Sequence, residues 1–382
     1  MFVPCSDRST PGDPFMKKSL LALAVLGAFA GAASAQSSVT LYGIVDLGLV
    51  KLDRADNSLA LGGGVLSLQN KELNVNEATK SRIGVRGVED LGGGLSAKFE
   101  LEHRLFPDTG SQDGASFWDK SIVALTSQTF GEVALGRDYM PAFYPQYLLD
   151  PWLNQGIAEM GASSYAWSGY LRNTDAGRYG FALPRGSRYN NGIWYKAQAS
   201  GFTFIAGASL KEDTVLAAGL PPVAKNRFGF ALMYNAGPLM ASVAYDQSEE
   251  IADRDEHVWF IGGAYDFGFV KPRLSYSKSQ LNRGGPVALI TGVGVQEVNP
   301  STLTLAATFP VGTNLVKAGV TRLDFDFSDI KQTKFSLGYE HVLSKRTALY
   351  TDITTAKTKG TIPVGLSNDR VTGLDAGIRH SF

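Results

Sequence analysis

The side chains that could do chemistry in this sequence are charged residues that recur at every second position within short segments. Apolar residues such as Ile83 and Val85 stand between them. Strict alternation is typical of a strand with one apolar face and one polar face. A row of fixed charges on a wet face attracts or repels ions by sign, which is electrostatic rather than covalent chemistry. The charged positions on these polar faces are Arg82, Arg86, Lys98, Glu100, Glu102, Arg104, Lys120, Arg188 and Lys196.

The sequence shows no pattern of a catalytic centre. None of the four histidines stands in a nucleophile pattern with Ser or Asp. The glycine runs at 62–64 and 92–94 lack the following Lys-Ser or Lys-Thr of a phosphate-binding loop. We therefore predict no catalytic residue and no cofactor.

An acidic segment in the second half of the chain allows two interpretations. Its members are Glu249, Glu250, Asp253, Asp255 and Glu256, followed by His257. Calcium prefers oxygen ligands, so a Ca²⁺ site is one interpretation. The other, which we favour, is a solvated outer loop that contacts lipopolysaccharide through divalent ions. No metal ligand is assigned.

Charge and cysteine content exclude several classes of protein. The 382 residues contain 36 basic and 36 acidic side chains, so the formal net charge is zero. Without a basic excess the chain has little charge to exchange for the counterions of a nucleic acid, and we expect no nucleic-acid partner. The one cysteine, Cys5, lies ahead of a segment that is typical of an export signal, so neither a disulfide nor thiol chemistry is expected.

Residues 16–35 have the pattern of a secretory signal peptide. A charged start at 16–18 is followed by an apolar run at 19–32 and by small residues. These are the three parts of a cleavable signal, and the apolar run is short for a membrane-spanning helix. We predict a mature chain at 36–382 and interpret residues 1–15 as the product of a start codon assigned too early.

Sixteen segments of alternating apolar and polar residues follow the signal. The last of them alternates to the end of the chain, where Ile378, His380 and Phe382 share one face. An even number of such segments is typical of a barrel whose apolar faces turn to lipid and whose polar faces line water. We therefore predict an all-β fold, a sixteen-stranded antiparallel transmembrane β-barrel, in the cell outer membrane.

The connections between the segments alternate in length. Short ones, such as 310–312 and 343–344, are interleaved with long ones, which predicts short periplasmic turns on one rim and long outer loops on the other. The longest connection, about 138–187, contains four prolines and many aromatic residues. Connections longer than about 12 to 15 residues usually have a function. We predict that this third loop folds into the lumen and narrows it.

Several motifs are similar to those of a known family. They are SVTLYG at 38–43, SRIGVRGVEDLGGGLSA at 81–97, FGEVALGR at 130–137, LSKRT at 343–347 and GIRHSF at 377–382. The sequence resembles the trimeric general porins of Gram-negative bacteria, and most of all the beta-proteobacterial type. The resemblance implies a sixteen-stranded barrel, an association of three barrels and a third loop inside each lumen. It also implies that the C-terminal aromatic, here Phe382, is an assembly signal for the barrel-assembly machinery.

The resemblance also implies a pore constriction in which a basic wall faces an acidic loop. Arg82 and Arg188 match family positions that form a basic ladder opposite the loop, and Lys120 lies at or next to a third. Asp150 and Glu159 are the expected acids of the loop, although such acids could instead satisfy the loop's own backbone. Because guanidinium groups stay charged, this arrangement would favour anions weakly.

Two further positions depend on how strictly the alternation holds. The Gly-Arg ending of a family motif suggests that Arg137 belongs to the basic wall, but alternation groups it with Val133 on the apolar face. It reaches the lumen only if the strand bulges or ends at Gly136. Tyr42, near a strand end, is expected in the aromatic girdle at the membrane interface.

We therefore predict a general diffusion porin that passes ions and small hydrophilic solutes passively through a water-filled pore, and not an enzyme. Two alternatives stay open. A barrel enzyme, such as a protease or lipase, would need a catalytic dyad on the rim, and a surface adhesin would act through the outer loops. The expected partners are two further copies of the chain, outer-membrane lipid and lipopolysaccharide, the permeating solutes, and the assembly machinery during insertion.

Overall fold

The structure is a computed structural model that describes the greater part of the predicted mature chain. The described residues are 38–54, 58–61, 64–67, 71–113, 116–160, 187–210, 226–248, 256–283, 296–325, 331–359 and 370–382. The predicted signal peptide at 16–35, residues 1–15 and the acidic residues of 249–255 lie outside them.

Sixteen antiparallel strands form a closed barrel, which confirms the predicted fold. Their bounds are β1 Ser38–Arg54, β2 Arg82–Gly92, β3 Leu95–Phe106, β4 Trp118–Ser127, β5 Gly131–Tyr139, β6 Arg188–Ala199, β7 Phe202–Ser209, β8 Arg227–Ala236, β9 Leu239–Ser248, β10 Glu256–Tyr265, β11 Lys271–Arg283, β12 Pro300–Val311, β13 Asn314–Phe325, β14 Lys331–Val342, β15 Thr347–Lys359 and β16 Arg370–Ser381. Each strand pairs with its neighbours in sequence, so the architecture is a series of hairpins.

The barrel is closed by pairing between its first and last strands. β1 runs antiparallel to β16, from Ile44 opposite Ser381 to Arg54 opposite Val371. In lipid every backbone polar group needs a partner within the protein, and closure removes the two free edges of the sheet. Short additional strands lie in the connections, at Ser58–Leu61, Gly64–Ser67, Lys71–Asn76, Ser111–Gln112 and Gln296–Val298.

The two faces of each strand differ as the alternation predicts. In β14, Phe335 and Leu337 are 55% and 52% exposed on the outside, whereas Ser336 between them is 6% exposed. The same alternation gives the whole barrel an apolar outer belt and a polar inner wall. The two faces are oriented in the opposite way to those of a protein with a dry core, because the apolar side chains contact lipid and the polar side chains line the lumen.

The connections sort onto two rims. One rim carries short turns, such as 312–313 between β12 and β13, and it also carries Ser38 and Phe382. The other rim carries the long connections, of which 140–187 is the longest. We call them the turn rim and the loop rim. In outer-membrane barrels the loop rim faces the cell exterior.

The third loop enters the barrel directly after β5. Its described part, 140–160, contains a short helix, α1 (Phe143–Leu149), that packs against β8, β9, β10 and β11. The all-β prediction contained no helix, so α1 is an addition to it. A helix of seven residues is too short to show a helical period in the sequence. Among the described residues, no helix has the length and apolar composition needed to cross a membrane.

The loop crosses the lumen and turns back beyond α1. Leu153, Asn154 and Gly156 have positive φ angles of 56°, 51° and 75°, which reverse the chain. At the reversal, the Gln155 side-chain oxygen accepts a hydrogen bond of 2.7 Å from the backbone N–H of Lys80, just before β2. The loop is therefore held at its far end by the connection that precedes β2.

Trp152 attaches the loop to the inner wall. Its indole Nε1 donates a hydrogen bond of 2.7 Å to Asp352 Oδ1 on β15, and both residues are buried. The ring lies over Gly338 on β14, where an added Cβ would stand 3.0 Å from the indole nitrogen and would collide with Asp352. Gly338 thus provides the space that the indole needs to reach its acceptor.

A second attachment follows eight residues later in the loop, at Met160. The hydroxyl of Thr321 on β13 donates 2.8 Å to the carbonyl oxygen of Met160, and the Met160 side chain occupies the space above Gly319. At both attachments, therefore, the loop makes a polar contact with the inner wall next to a glycine of that wall.

The C-terminal residue completes the junction between β1 and β16. Phe382 accepts a backbone hydrogen bond of 3.1 Å from Gly43 and donates one of 3.0 Å to it. The Phe382 ring covers Gly43 so closely that a Cβ at this glycine would overlap it. Residue 382 therefore extends the junction by one more pair at the turn rim.

We expect deletion of Phe382 to lower both the outer-membrane level and the melting temperature of the barrel. The deletion removes two backbone hydrogen bonds and the ring contact, a loss of about 1–3 kcal/mol. Phe382→Tyr, which keeps all three, is the matched control. Quantitative blotting of outer-membrane fractions and thermal unfolding in detergent test this expectation, and wild-type values for the deleted chain would contradict it.

We expect Trp152→Phe to loosen the loop. It leaves the buried Asp352 Oδ1 without the indole donor, which costs about 1–3 kcal/mol. Gly338→Ala should act in the same direction by displacing the indole. Single-channel recordings should show a larger and noisier conductance for both variants.

The matched control is Trp259→Phe, because Trp259 is 49% exposed on the outer surface of β10. Conductance and noise that stay unchanged in Trp152→Phe and Gly338→Ala would show that the indole does not hold the loop.

Candidate functional site

The inner faces of β2 to β6 carry most of the charged residues singled out in the sequence. In β2 the apolar Ile83 is 43% exposed on the outside, so Arg82 and Arg86 project inward. In β6, Ile193 and Tyr195 are outside, and Trp194 and Lys196 are inside. The structure thus brings the following predicted residues to one wall: Arg82, Arg86, Lys98, Glu100, Glu102, Arg104, Lys120, Arg188 and Lys196.

The upper level of this wall, toward the loop rim, is a cluster around Asp119. The Arg104 Nε lies 2.5 Å from Asp119 Oδ2, and the Arg188 guanidinium donates to the same oxygen. Arg188 also stacks over the Tyr139 ring, 4.0 Å from its centroid. One carboxylate therefore holds two guanidinium groups at the point where the third loop leaves β5.

Below this cluster, Arg82 and Lys120 pair with acids of the wall itself. Arg82 Nη1 lies 3.7 Å from Glu102 Oε1. The Lys120 ammonium lies 2.8 Å from Glu100 Oε2 and 3.4 Å from Asp138 Oδ2. These pairs join four neighbouring strands into one network of alternating charge.

The lower level, toward the turn rim, is more open. Lys98 forms an ion pair with Glu132, and Lys196 lies opposite Glu132 in the register of β5 and β6. Arg86 is exposed, with its guanidinium 5.2 Å from the centre of the Tyr42 ring. Basic groups therefore continue along the wall below the constriction.

Tyr42 corrects an expectation. It lies on the inner face of β1, and its hydroxyl donates 2.9 Å to Glu100 Oε1 and 3.4 Å to Glu102 Oε2. The proximity of a tyrosine to a strand end suggested the membrane interface, but the alternation of β1 turns it inward. Tyr42 thus orients the two carboxylates that face Lys120 and Arg82.

Arg137 follows the alternation of its strand and not the family motif. It lies in register with Ser121, on the side of Val133 and Leu135. β6 bulges opposite it between Tyr189 and Gly192, and the Arg137 guanidinium donates to the Asn190 side chain in that bulge. The bulge that the sequence analysis required is therefore in the partner strand.

Asp150 does not act as an open counter-charge to the basic wall, which corrects the expected role. It is 2% exposed, and its carboxylate accepts backbone hydrogen bonds from Trp152, Asn154 and Met160 at 2.9, 3.0 and 2.8 Å. Burial raises the pKa of Asp150, and the three N–H donors oppose that rise. Asp150 therefore shapes the reversal of the loop, the alternative that the sequence left open.

Glu159 is also largely buried, at 9% exposure. Its backbone carbonyl accepts a hydrogen bond of 2.6 Å from the ammonium of Lys334 on β14. The charge of Lys334 also interacts electrostatically with the carboxylates of Glu159 and Asp150. The loop acids therefore face a lysine of the far wall rather than the arginines of β2 and β6.

Three acids of the basic wall were not identified from the sequence. Glu132 shares the inner face of β5 with Ala134, so strict alternation could have identified it. Asp138 has the same parity on β5 and could have been identified in the same way, whereas Asp119 lies beside a bulge, where alternation gives no direction. Within the described ranges, no grouping of three or more His, Cys, Asp or Glu side chains is arranged to hold a metal ion.

Comparison with known proteins agrees with this architecture. A family profile described as Gram-negative porin matches residues 22–361. Outer membrane porin protein 32 of Delftia acidovorans is 35% identical, over 96% of this chain and 100% of the relative. An outer membrane porin of Bordetella pertussis is 31% identical, over 96% of this chain and 100% of the relative.

A solved structure also superimposes on the barrel. The anion-selective porin from Comamonas acidovorans has a TM-score of 0.72 and 29% identity, and it covers 91% of this chain and 100% of its own. The family and the barrel do not favour the enzyme and adhesin interpretations. A closed barrel with a polar lumen, an internal loop and this relationship together show that the chain belongs to the Gram-negative porin family and is an outer-membrane diffusion porin.

Proposed function

We propose that this porin passes anions in weak preference to cations, and that the wall formed by β2 to β6 sets this preference. The observation that carries the proposal is the charge balance of that wall. Its bases are Arg82, Arg86, Lys98, Arg104, Lys120, Arg188 and Lys196, and its acids are Asp90, Glu100, Glu102, Asp119, Glu132 and Asp138. Seven bases against six acids leave a net charge of about +1.

The preference is weak because most of the bases are paired. Arg82, Arg104, Arg188 and Lys120 each have a carboxylate on the same wall, so only the excess charge acts on a passing ion. Arg86 is the base most open to the lumen. Fixed charges around a water-filled passage set ion preference, while the width of the constriction limits solute size.

The two acids predicted for the third loop, Asp150 and Glu159, are buried. Lys334 on the far wall donates a hydrogen bond to the backbone of this loop. The carboxylates expected to give the loop a negative surface are thus turned away from the passage. The structurally similar porin from Comamonas acidovorans is an anion-selective porin, which is in line with this proposal.

The proposed quaternary structure is a trimer of barrels, as the family resemblance implies. We also propose that residues 16–35 are removed on export and that the mature chain begins at Gln36. The mass of the protein–detergent complex and the N-terminal sequence of the outer-membrane protein test these two proposals separately.

We expect the double variant Arg82→Gln/Arg188→Gln to lose the preference for anions. The net charge of the wall falls from about +1 to about −1, so the ratio of anion to cation permeability should fall to about one or below. Reversal potentials across planar bilayers in a potassium chloride gradient measure this ratio.

Two further variants test whether the charge of the wall causes this change in the reversal potential. Glu100→Gln/Glu132→Gln removes two acids from the same wall and should shift the reversal potential in the opposite direction. Arg322→Gln lies on the outer surface of β13 and should leave it unchanged. Equal reversal potentials in the wild type and both wall variants would refute the proposal.

A further inference from the structure

The helix α1 of the third loop has two different faces inside the barrel. Its buried residues are Pro145, Gln146 and Leu149. The helix packs against β8 to β11, where the Leu149 side chain lies against Gly262 of β10. Because an α-helix turns once every 3.6 residues, Tyr144 and Tyr147 lie on the opposite side, and Leu148 borders them. This second face therefore points away from the strands that hold the helix and toward the passage.

Contacts with the basic wall fix the direction of this second face. The Tyr144 hydroxyl donates a hydrogen bond of 3.1 Å to Asp138 Oδ2 at the end of β5. Tyr147 shares a side-chain hydrogen bond with Arg82 on β2. The two phenols thus reach from the helix to the strands that carry the bases, so aromatic rings border the passage at the level of Arg82.

Aromatic rings also stack beside the guanidinium groups at this constriction. The Arg188 guanidinium lies 4.0 Å from the centre of the Tyr139 ring. The Phe143 ring lies parallel to that of Tyr139, at 4.2 Å between ring centres and 3° between ring planes. Cations are attracted to the faces of aromatic rings, and the planar guanidinium group of arginine stacks well on them. Planar aromatic groups therefore fit beside these arginines.

The passage side of α1 offers apolar surface and no charge. Leu148 is 44% exposed, although it lies inside a barrel whose wall is largely polar. The helix sequence, FYPQYLL, contains no charged residue. Apolar surface that is in contact with water binds apolar groups, because the contact removes both surfaces from water. A solute at this level therefore meets cationic groups on one side and an aromatic and apolar surface on the other.

We propose that the constriction recognises organic anions that carry an aromatic ring. Arg82 and Arg188 bind the carboxylate through charge-assisted hydrogen bonds. The ring contacts Tyr147 and Leu148 on α1. A guanidinium group has five N–H donors, so Arg82 keeps its contact with Glu102 while it donates to the solute. These contacts are few, so the solute is released again, as conduction requires.

Recognition of this kind rests on the proposed anion preference, because the bases must first attract the solute. It adds the chemical class of the preferred anion. A carboxylate without a ring, or an inorganic anion such as chloride, uses only the basic wall. An aromatic carboxylate uses the wall and the helix together.

Block of the chloride current measures this recognition. The full mature protein is inserted into a planar bilayer in potassium chloride, and potassium benzoate, cyclohexanecarboxylate or acetate is added. These anions carry one charge each and differ in having an aromatic ring, an apolar ring or no ring. Aromatic contacts contribute about threefold to tenfold beyond their apolar area. Benzoate should therefore halve the current at a concentration about threefold to tenfold below that of cyclohexanecarboxylate, and acetate should block least.

Variants of α1 assign the recognition to its passage side. Tyr147→Leu removes the ring and keeps apolar bulk, so the ratio of the half-blocking concentrations of acetate and benzoate should fall by about threefold to tenfold. A change in the width of the passage alone would alter block by both anions, so this ratio separates recognition of the ring from a looser loop. Leu148→Asn should lower the ratio as well, and Tyr147→Phe, which keeps the ring, should retain it.

The matched control is Tyr276→Leu, because Tyr276 is 42% exposed on the outer surface of β11. The same exchange of side chains is thereby made outside the lumen. Benzoate should block this variant at the wild-type concentration.

Two outcomes would overturn the proposal. Equal half-blocking concentrations of benzoate and cyclohexanecarboxylate would show that the constriction does not recognise an aromatic ring. A wild-type ratio in both Tyr147→Leu and Leu148→Asn would show that α1 does not contact the ring. The reversal potential of the wild-type channel in a potassium chloride gradient reports the anion preference separately. Failure of ring recognition alone leaves the preference for chloride over potassium in place, whereas failure of the proposed anion preference removes it.

Discussion

The structure depends on one constraint, which is that backbone polar groups inside a membrane must pair with one another. A closed sheet meets this constraint, and β1 and β16 close it with a ladder that the Gly43–Phe382 pair extends to the turn rim. Because the side chains of a strand alternate, closure also separates the residues into two surfaces. The same constraint that satisfies the backbone therefore creates a water-filled passage with a charged wall.

The charged wall is stable in the lumen because its charges satisfy one another. Asp119 holds Arg104 and Arg188, and Lys120 lies between Glu100 and Asp138. Exposed ion pairs contribute little individually, but partly buried networks fix side chains in one arrangement. The passage is consequently lined by oriented groups of both signs with a small basic excess, which suits a diffusion channel better than a site that binds one solute tightly.

The third loop is attached to the barrel by local features of the wall. Trp152 reaches Asp352 across Gly338, and Met160 is bound by Thr321 beside Gly319. Asp150 organises the loop from within by accepting three backbone N–H groups. The width of the passage therefore depends on residues far apart in sequence, and small changes on β13 to β15 would alter it.

Much of this protein could be inferred from the sequence alone. Period-two alternation determined the number of strands, the inward position of Arg82 and Lys120, and the outward apolar belt, because the direction of a side chain in a regular strand depends only on its parity. The lengths of the connections between strands predicted that one rim carries short turns and the other carries long loops. The family resemblance, carried by motifs such as 81–97, agreed with both.

Only the tertiary structure decided which charges meet. Pairing across strands depends on register and on bulges, such as the one at 190–191 opposite Arg137, and neither is written in the local pattern. Asp150 could have faced the arginines, but the backbone N–H groups of its own loop are closer and donate hydrogen bonds to its carboxylate oxygens.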